Sequence, residues 1–204
     1  MSVTITTASI ITLIRGLIDD MLKTDGVSAF EYDSDNSFKL NSDNVVSSSI
    51  IVYQNGTAIS EDDWAYNSDT NKVTVTFVTS GESLTKGDNI VITFNHYERF
   101  SDTELTAYIK ANLVEFSRRN YKKTFYMNSS NEVVALNDAN PTLKEGNLIA
   151  IVTAIKIDPK NIKINTRDWS ISAEEYKSVS EQLDDVFRHF NFTLGDIDFL
   201  EKEI

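Results

Sequence analysis

Hydrophobic positions along the chain switch repeatedly between helical spacing and a period of two. Ile10, Ile11, Leu13, Ile14, Leu17, Ile18, Met21 and Leu22 recur at three- and four-residue spacing, which predicts a first helix with one broad apolar face. Thr6 or Thr7 can cap its start, and Asp25-Gly26 supplies a stop. Gly16 lies inside it, either where another helix approaches closely or as a tolerated weakness. From about Phe30 the period becomes two. Ser49-Ile50-Ile51-Val52-Tyr53 reads as a strand followed by an Asn55-Gly56 hairpin turn. Trp64-Ala65-Tyr66 reads as extended, and Asn67 to Asn71 as a turn. Val73, Val75 and Phe77 alternate with threonines. Ile90, Ile92 and Phe94 alternate again after the Lys86-Gly87-Asp88 turn.

Helical spacing returns at Ser101-Asp102-Thr103-Glu104, a capping box in which serine and glutamate satisfy free N–H groups reciprocally. Leu105, Tyr108, Ile109, Leu113 and Phe116 form its stripe, and Arg118, Arg119, Lys122 and Lys123 sit near its end, where the helix dipole favours cations. Residues 125–140 read as a polar, mobile surface loop. A second capping box, Thr142-Leu143-Lys144-Glu145, opens a helix that is apolar on most sides and stops at Pro159; a buried strand is the alternative for this run. Residues 162–171 read as extended with Trp169 as an anchor. A third box, Ser172-Ala173-Glu174-Glu175, opens a last helix carrying Tyr176, Val179, Leu183, Val186, Phe187 and Phe190.

A lone first helix cannot bury its apolar face, so it must pack with the later three. The expected fold is therefore α+β, a four-helix core (1–27 plus 99–191) with an antiparallel β unit (28–98) inserted after the first helix. An extended tail (192–204) follows.

Charge then narrows the function. The chain carries 31 acidic and 19 basic residues, a net charge of −12, which argues against gripping nucleic acid through phosphates. The excess is uneven: residues 27–98 hold 11 acids and 3 bases, whereas 99–167 hold 7 and 11. Such asymmetry suits complementary surfaces between packed subunits, or a chance distribution on a solvated surface. The absence of cysteine removes disulfides and thiolate chemistry. No apolar run reaches the length of a membrane span, and no secretory signal is recognisable; with the missing cysteines this points to a cytosolic origin or to assembly inside a cell.

Candidate chemistry is sparse. His96 and His189 lack the spacing of a metal pair. Asp33-Ser34-Asp35-Asn36-Ser37 begins like a calcium loop, but Phe38 replaces the needed glycine and Asn44 the bidentate glutamate. Glu61-Asp62-Asp63 and Asp19-Asp20 are adjacent carboxylates that point apart. No phosphate loop or nucleophile elbow is present. Arg118 to Tyr126 interleaves bases with aromatics, which suits either a nucleic-acid contact or a cationic helix end running into an anchored loop. No catalytic residue, cofactor or metal site is expected, and a non-enzymatic role follows.

Four segments carry a resemblance: Ile11-Thr12-Leu13-Ile14-Arg15-Gly16-Leu17-Ile18-Asp19-Asp20, Ile51-Val52-Tyr53-Gln54-Asn55-Gly56, Lys86-Gly87-Asp88-Asn89-Ile90-Val91-Ile92, and Ser101-Asp102-Thr103-Glu104-Leu105-Thr106-Ala107-Tyr108-Ile109. With the overall layout, they resemble the head-to-tail adaptor (connector, neck) proteins of tailed bacteriophages. The resemblance implies a virion structural protein, assembled in the host cytoplasm as a ring, typically dodecameric, beneath the portal. It implies contacts with portal and stopper or tail proteins. DNA would pass through the channel unbound by sequence, and no membrane would be involved. On that footing Phe192, Leu194, Ile197, Phe199 and Leu200 of the tail are expected portal or neighbour contacts, and Arg118, Arg119, Lys122 and Lys123 expected inter-subunit contacts. The expectation for the lumen is an acidic lining drawn from the β unit or the C-terminal block. The alternative is a host- or carbohydrate-binding module of a tail appendage, using Tyr53, Trp64 and Tyr66.

Overall fold

The computed structural model describes residues 4–136, 139–159, 163–166, 169–172 and 177–192, with the backbone alone at 163–166, 169–172 and 191–192. In chain order the elements are α1 (Thr7–Ile18), β1 (Leu22–Glu31), β2 (Ser37–Lys39), β3 (Ile51–Gln54), β4 (Thr57–Ala58), β5 (Trp64–Asn67), β6 (Lys72–Val75) and β7 (Asn89–Tyr97). There follow α2 (Asp102–Asn112), α3 (Val114–Arg118), β8 (Phe125–Met127), β9 (Val133–Ala135), α4 (Leu143–Ile157), β10 (Lys163–Thr166), β11 (Trp169–Ser172) and α5 (Val179–Phe192). They form two compact units, Asp20–Ser101 and the combination of Met1–Asp19 with Asp102–Ile204.

The β unit contains two antiparallel sheets, ordered β1-β7-β3-β4 and β2-β6-β5. Alternation sends Ile90, Ile92 and Phe94 of β7 and Val52 of β3 inward, where they meet Phe38, Val73 and Val75 from the second sheet in one core. This is sandwich packing, with one face of each sheet buried. The hairpin between β3 and β4 turns on Asn55 (φ 50°) and Gly56 (φ 85°), the left-handed pair that matches strand twist. Asp88 braces that turn, accepting hydrogen bonds from Gln54 Nε2 at 2.6 Å and Asn55 Nδ2 at 2.8 Å.

The α1 helix is shorter than its apolar spacing predicts. It ends at Ile18, Asp19 takes the left-handed conformation (φ 56°), and Leu22 begins β1 opposite Tyr97. Met21 and Leu22 are exposed rather than core residues. Pairing β1 along β7 satisfies a long run of backbone groups, which outweighs one further helical turn. As a result β1 begins at Leu22, ahead of residue 28.

The expected four-helix core is overturned. The chain is a mixed α+β protein, and strands occur in both units. In the second unit α4 is the hub: it packs against α1, α2 and α5, and α1 also meets α2, but among the described residues α5 makes no comparable packing with α1 or α2. The helix expected after Ser101 is broken at Leu113 into α2 and the five-residue α3. Residues 125–140, expected to be a mobile loop, contain the β8–β9 hairpin, with Phe125, Val133 and Val134 buried. The strands β10 and β11 pair antiparallel with each other.

Local signals explain the remaining ends. The capping box at the start of α4 is formed, with Thr142 Oγ1 accepting the Glu145 N–H at 3.3 Å and Glu145 Oε2 accepting the Thr142 N–H at 2.9 Å. Leu148, Ile149, Val152, Ala154 and Ile155 are all buried, as a hub helix requires. The α5 helix starts later than expected. Its capping pair is Ser178 and Glu181, not Ser172 and Glu175, and Ser172 instead closes β11. Tyr176 and residues 193–204 lie outside the described residues.

Candidate interaction surface

The outer face of the four-stranded sheet is built by the same alternation that fills the core. On β1 the positions of Gly26, Ser28 and Phe30 face inward, leaving Val27, Ala29 and Glu31 outward. Register then sets two rows on the outside. One is Val27, Thr93 and Ile51; the other is Ala29, Val91, Tyr53 and Ala58. Val27 is 49% and Ile51 45% exposed, so large aliphatic side chains on the two strands that flank β7 face solvent on either side of Thr93. An antiparallel sheet ordinarily alternates apolar inside with polar outside, and this face departs from that rule. The β unit around it holds 13 acidic against 5 basic residues.

The aromatics expected to bind sugar do not share a surface. Tyr53 lies on the outer face, whereas Trp64 and Tyr66 pack against the inner core, and the Tyr66 hydroxyl donates to Asn71 Oδ1 at 3.0 Å.

The basic stretch after α3 is largely engaged within its own unit. Glu115 is 3% exposed and accepts from Arg119, from Lys156 Nζ at 2.8 Å and from Arg118 at 3.5 Å. Burial works against ionisation there, but these three cations outweigh it and hold the carboxyl below the ordinary glutamate value. Arg119 also pairs with Asp184 at 3.0 Å and lies over the Phe187 ring. Lys123 binds the buried Glu145 at 2.5 Å. Arg118 and Lys122 remain exposed. Tyr121 and Phe125 are buried, each packed edge-to-face with Phe116, so they offer no platform for stacked bases. Burial, with the nearby Glu145 charge, pushes the Tyr121 hydroxyl up to about 12. Phe192 is the last residue of α5, and Leu194, Ile197, Phe199 and Leu200 lie outside the described residues.

Other candidates resolve into local structure. Asp63 is buried and its Oδ1 accepts the Thr79 N–H at 2.6 Å, the Thr79 hydroxyl at 2.7 Å and the Ser80 N–H, holding the loop after β6. These donors, the Thr79 N–H first, lower its pKa against the opposing effect of burial. Asp20 accepts the Arg99 N–H at 3.1 Å. Asp35 caps the turn before β2 and Asp33 pairs with Lys86. Gly16 lies in open space, with nothing close to where a Cβ would be.

His96 lines a polar cleft with Lys23, Asp25, Asn41 and Glu98, its Nδ1 buried without a hydrogen-bond partner among the described residues. His189, on α5, is held below its ordinary value by burial and by the Lys144 charge. Among the described residues no three His, Asp or Glu side chains form a group that could hold a metal ion, and no helix is long and apolar enough to cross a membrane. The sheet face was not found from sequence, although the odd-numbered run Val27, Ala29 and Glu31 signalled it once register was known. No protein-family model matches this chain, and no characterised protein is significantly similar to it.

Proposed function

We propose that this protein acts through its surfaces as a virion structural component, a head-to-tail adaptor that assembles as a ring on the portal and contacts stopper or tail proteins. The observation that carries a surface role is the exposed aliphatic face of the four-stranded sheet, set in a strongly acidic unit. A packed face of that kind suits contact with another protein. The acid excess suits a channel wall that repels phosphate and lets DNA slide. The adaptor assignment itself comes from the four quoted segments and from a β unit inserted after the first helix.

A host- or sugar-binding module is the second reading. Its support falls because Trp64 and Tyr66 face the core rather than joining Tyr53 outside. The test is electron microscopy of the purified protein mixed with its cognate portal. Rings stacked coaxially on the portal are the expected result. A portal that stays bare at micromolar protein, under conditions where it binds its other neck proteins, overturns the adaptor reading.

A further inference from the structure

The β1 strand is an outer strand of its sheet, and the direction of its backbone groups can be derived. The Asn89 C=O accepts the Asn55 N–H, and the Asn95 C=O accepts the Val46 N–H. Asn89, Val91, Thr93 and Asn95 therefore turn their backbone groups away from β1, and Ile90, Ile92 and Phe94 turn theirs towards it. By register, Gly26, Ser28 and Phe30 bond to β7, while Val27, Ala29 and Glu31 aim their N–H and C=O groups off the sheet.

One of these outward groups is taken. Asn41 Nδ2 donates to the Val27 C=O at 2.8 Å, and Asn41 is itself held by Ser28. The Val27 N–H and both groups of Ala29 and Glu31 have no hydrogen-bond partner among the described residues, and all three residues are exposed. Natural sheets blunt such edges with lysine, proline, a bulge or a covering loop. Here the bulge between Lys23 and Gly26 and the Asn41 cover protect the first half, and the stretch from Ala29 to Glu31 carries one charged side chain, Glu31, which disfavours an acidic strand but not a basic one.

We propose that this edge takes up an extended, basic segment of a partner protein as an added antiparallel strand. Backbone pairing at Ala29 and Glu31 would supply affinity, and side chains on the outer face would supply selection. The incoming residue opposite Ala29 is separated from Val91 only by the small Ala29 methyl, so a large apolar side chain there has room to reach across towards Val91 on the outer face. The residue opposite Glu31 meets an exposed carboxylate with no partner among the described residues, which selects lysine or arginine. The recognised pattern is thus a basic residue, any residue, then a large apolar one.

A second copy of this chain is the disfavoured occupant. Pairing two β1 edges would bring together two units of net negative charge, and the unit's own Lys23 and Lys86 are already engaged by Glu98 and Asp33. The proposal concerns the β unit alone and stands apart from the adaptor reading, which portal binding tests separately.

The experiment is selection from a displayed library of random heptapeptides on the full chain, with amide hydrogen exchange on the best binder. Expected are peptides enriched in the basic–x–apolar pattern that slow exchange at Ala29 and Glu31. Ala29→Pro, which removes an N–H unused inside the sheet, should weaken their binding at least tenfold. Glu31→Lys, which leaves the backbone untouched, should reverse the charge preference and decides the matter if the proline variant fails to fold. No enrichment, binding retained in both variants, or a dimer protected along β1 would each overturn the proposal.

Discussion

Replacing Gly26 by alanine tests how closely the strand that carries the candidate edge is fitted to its core. A Cβ at that position would stand 2.5 Å from the Phe94 ring and 2.6 Å from the Phe94 carbonyl oxygen, well inside van der Waals contact. Phe94 is buried and the carbonyl belongs to the β1–β7 ladder, so neither can yield cheaply. Overpacking of this kind costs about 2 kcal/mol, and urea unfolding of Gly26→Ala should show a loss of that size. An unchanged midpoint would mean that β1 can shift on β7. Glu115 sets a different case, because its environment was built from charges rather than shape. Glu115→Gln leaves Arg119 and Lys156 facing a neutral group. The expected cost is about 2 kcal/mol at neutral pH, below the usual figure for a fully buried pair because Arg118 and Lys156 reach water. The sign of the pH effect follows from linkage. A glutamate held below its ordinary value stabilises the fold fully above that value, and the contribution is lost as pH falls through the lower, folded-state value. Acid unfolding of the wild type should therefore show a limb below about pH 4.5 that is reduced in Glu115→Gln. Equal acid sensitivity in the two proteins would assign the limb to other carboxylates, Glu145 first among them.

At the scale of elements, what could be read from residues alone was whatever local chemistry decides. The Asn55-Gly56 turn, the alternation through Ile90, Ile92 and Phe94, and the Thr142–Glu145 box stand where their spacing puts them, because a two-residue turn or a cap needs no distant partner. Errors cluster where a distant strand decided the outcome. Met21 and Leu22 continue the helical stripe of α1, yet Leu22 pairs with Tyr97, 75 residues later in the chain. Val133 and Val134 sit in a polar stretch whose hairpin is stabilised by burial, and the Val133 N–H donates to Thr7 Oγ1 of α1, a contact no local pattern encodes. Two serine boxes near the start of α5 competed, and the one nearer the apolar stripe formed, because Ser172 is committed to β11. The interaction surface was illegible for the same reason. Val27, Ala29 and Ile51 become one face only through the shared register with β7, and the unpaired edge only through which side of β1 that register leaves open.

The whole molecule is divided so that each unit closes on itself. In one, Leu22 and Tyr97 are paired, which brings the two ends of the β unit together. In the other, Arg15 near the end of α1 bonds Asp102 at the start of α2 at 2.7 Å, which brings the two cut ends together there as well. A segment inserted between adjacent points, with its own core of nine buried residues from both sheets and the chain flanking them, meets the requirements for independent folding. The excised segment 20–101 should therefore fold cooperatively. The single tryptophan it contains, Trp64, packs against that core and reports on it directly. Its fluorescence maximum in the fragment should match that of full-length protein in which Trp169 is replaced by phenylalanine, and both should shift to the red in one sigmoidal step on urea titration. A fragment whose Trp64 emission is already that of the unfolded chain in buffer would mean that the β unit depends on the helical unit for stability. In that event the exposed outer face of its sheet would be read as a surface that needs a neighbour to persist. A folded fragment would instead show that the sandwich tolerates an exposed aliphatic face unaided, leaving that face free for a partner in the assembled protein.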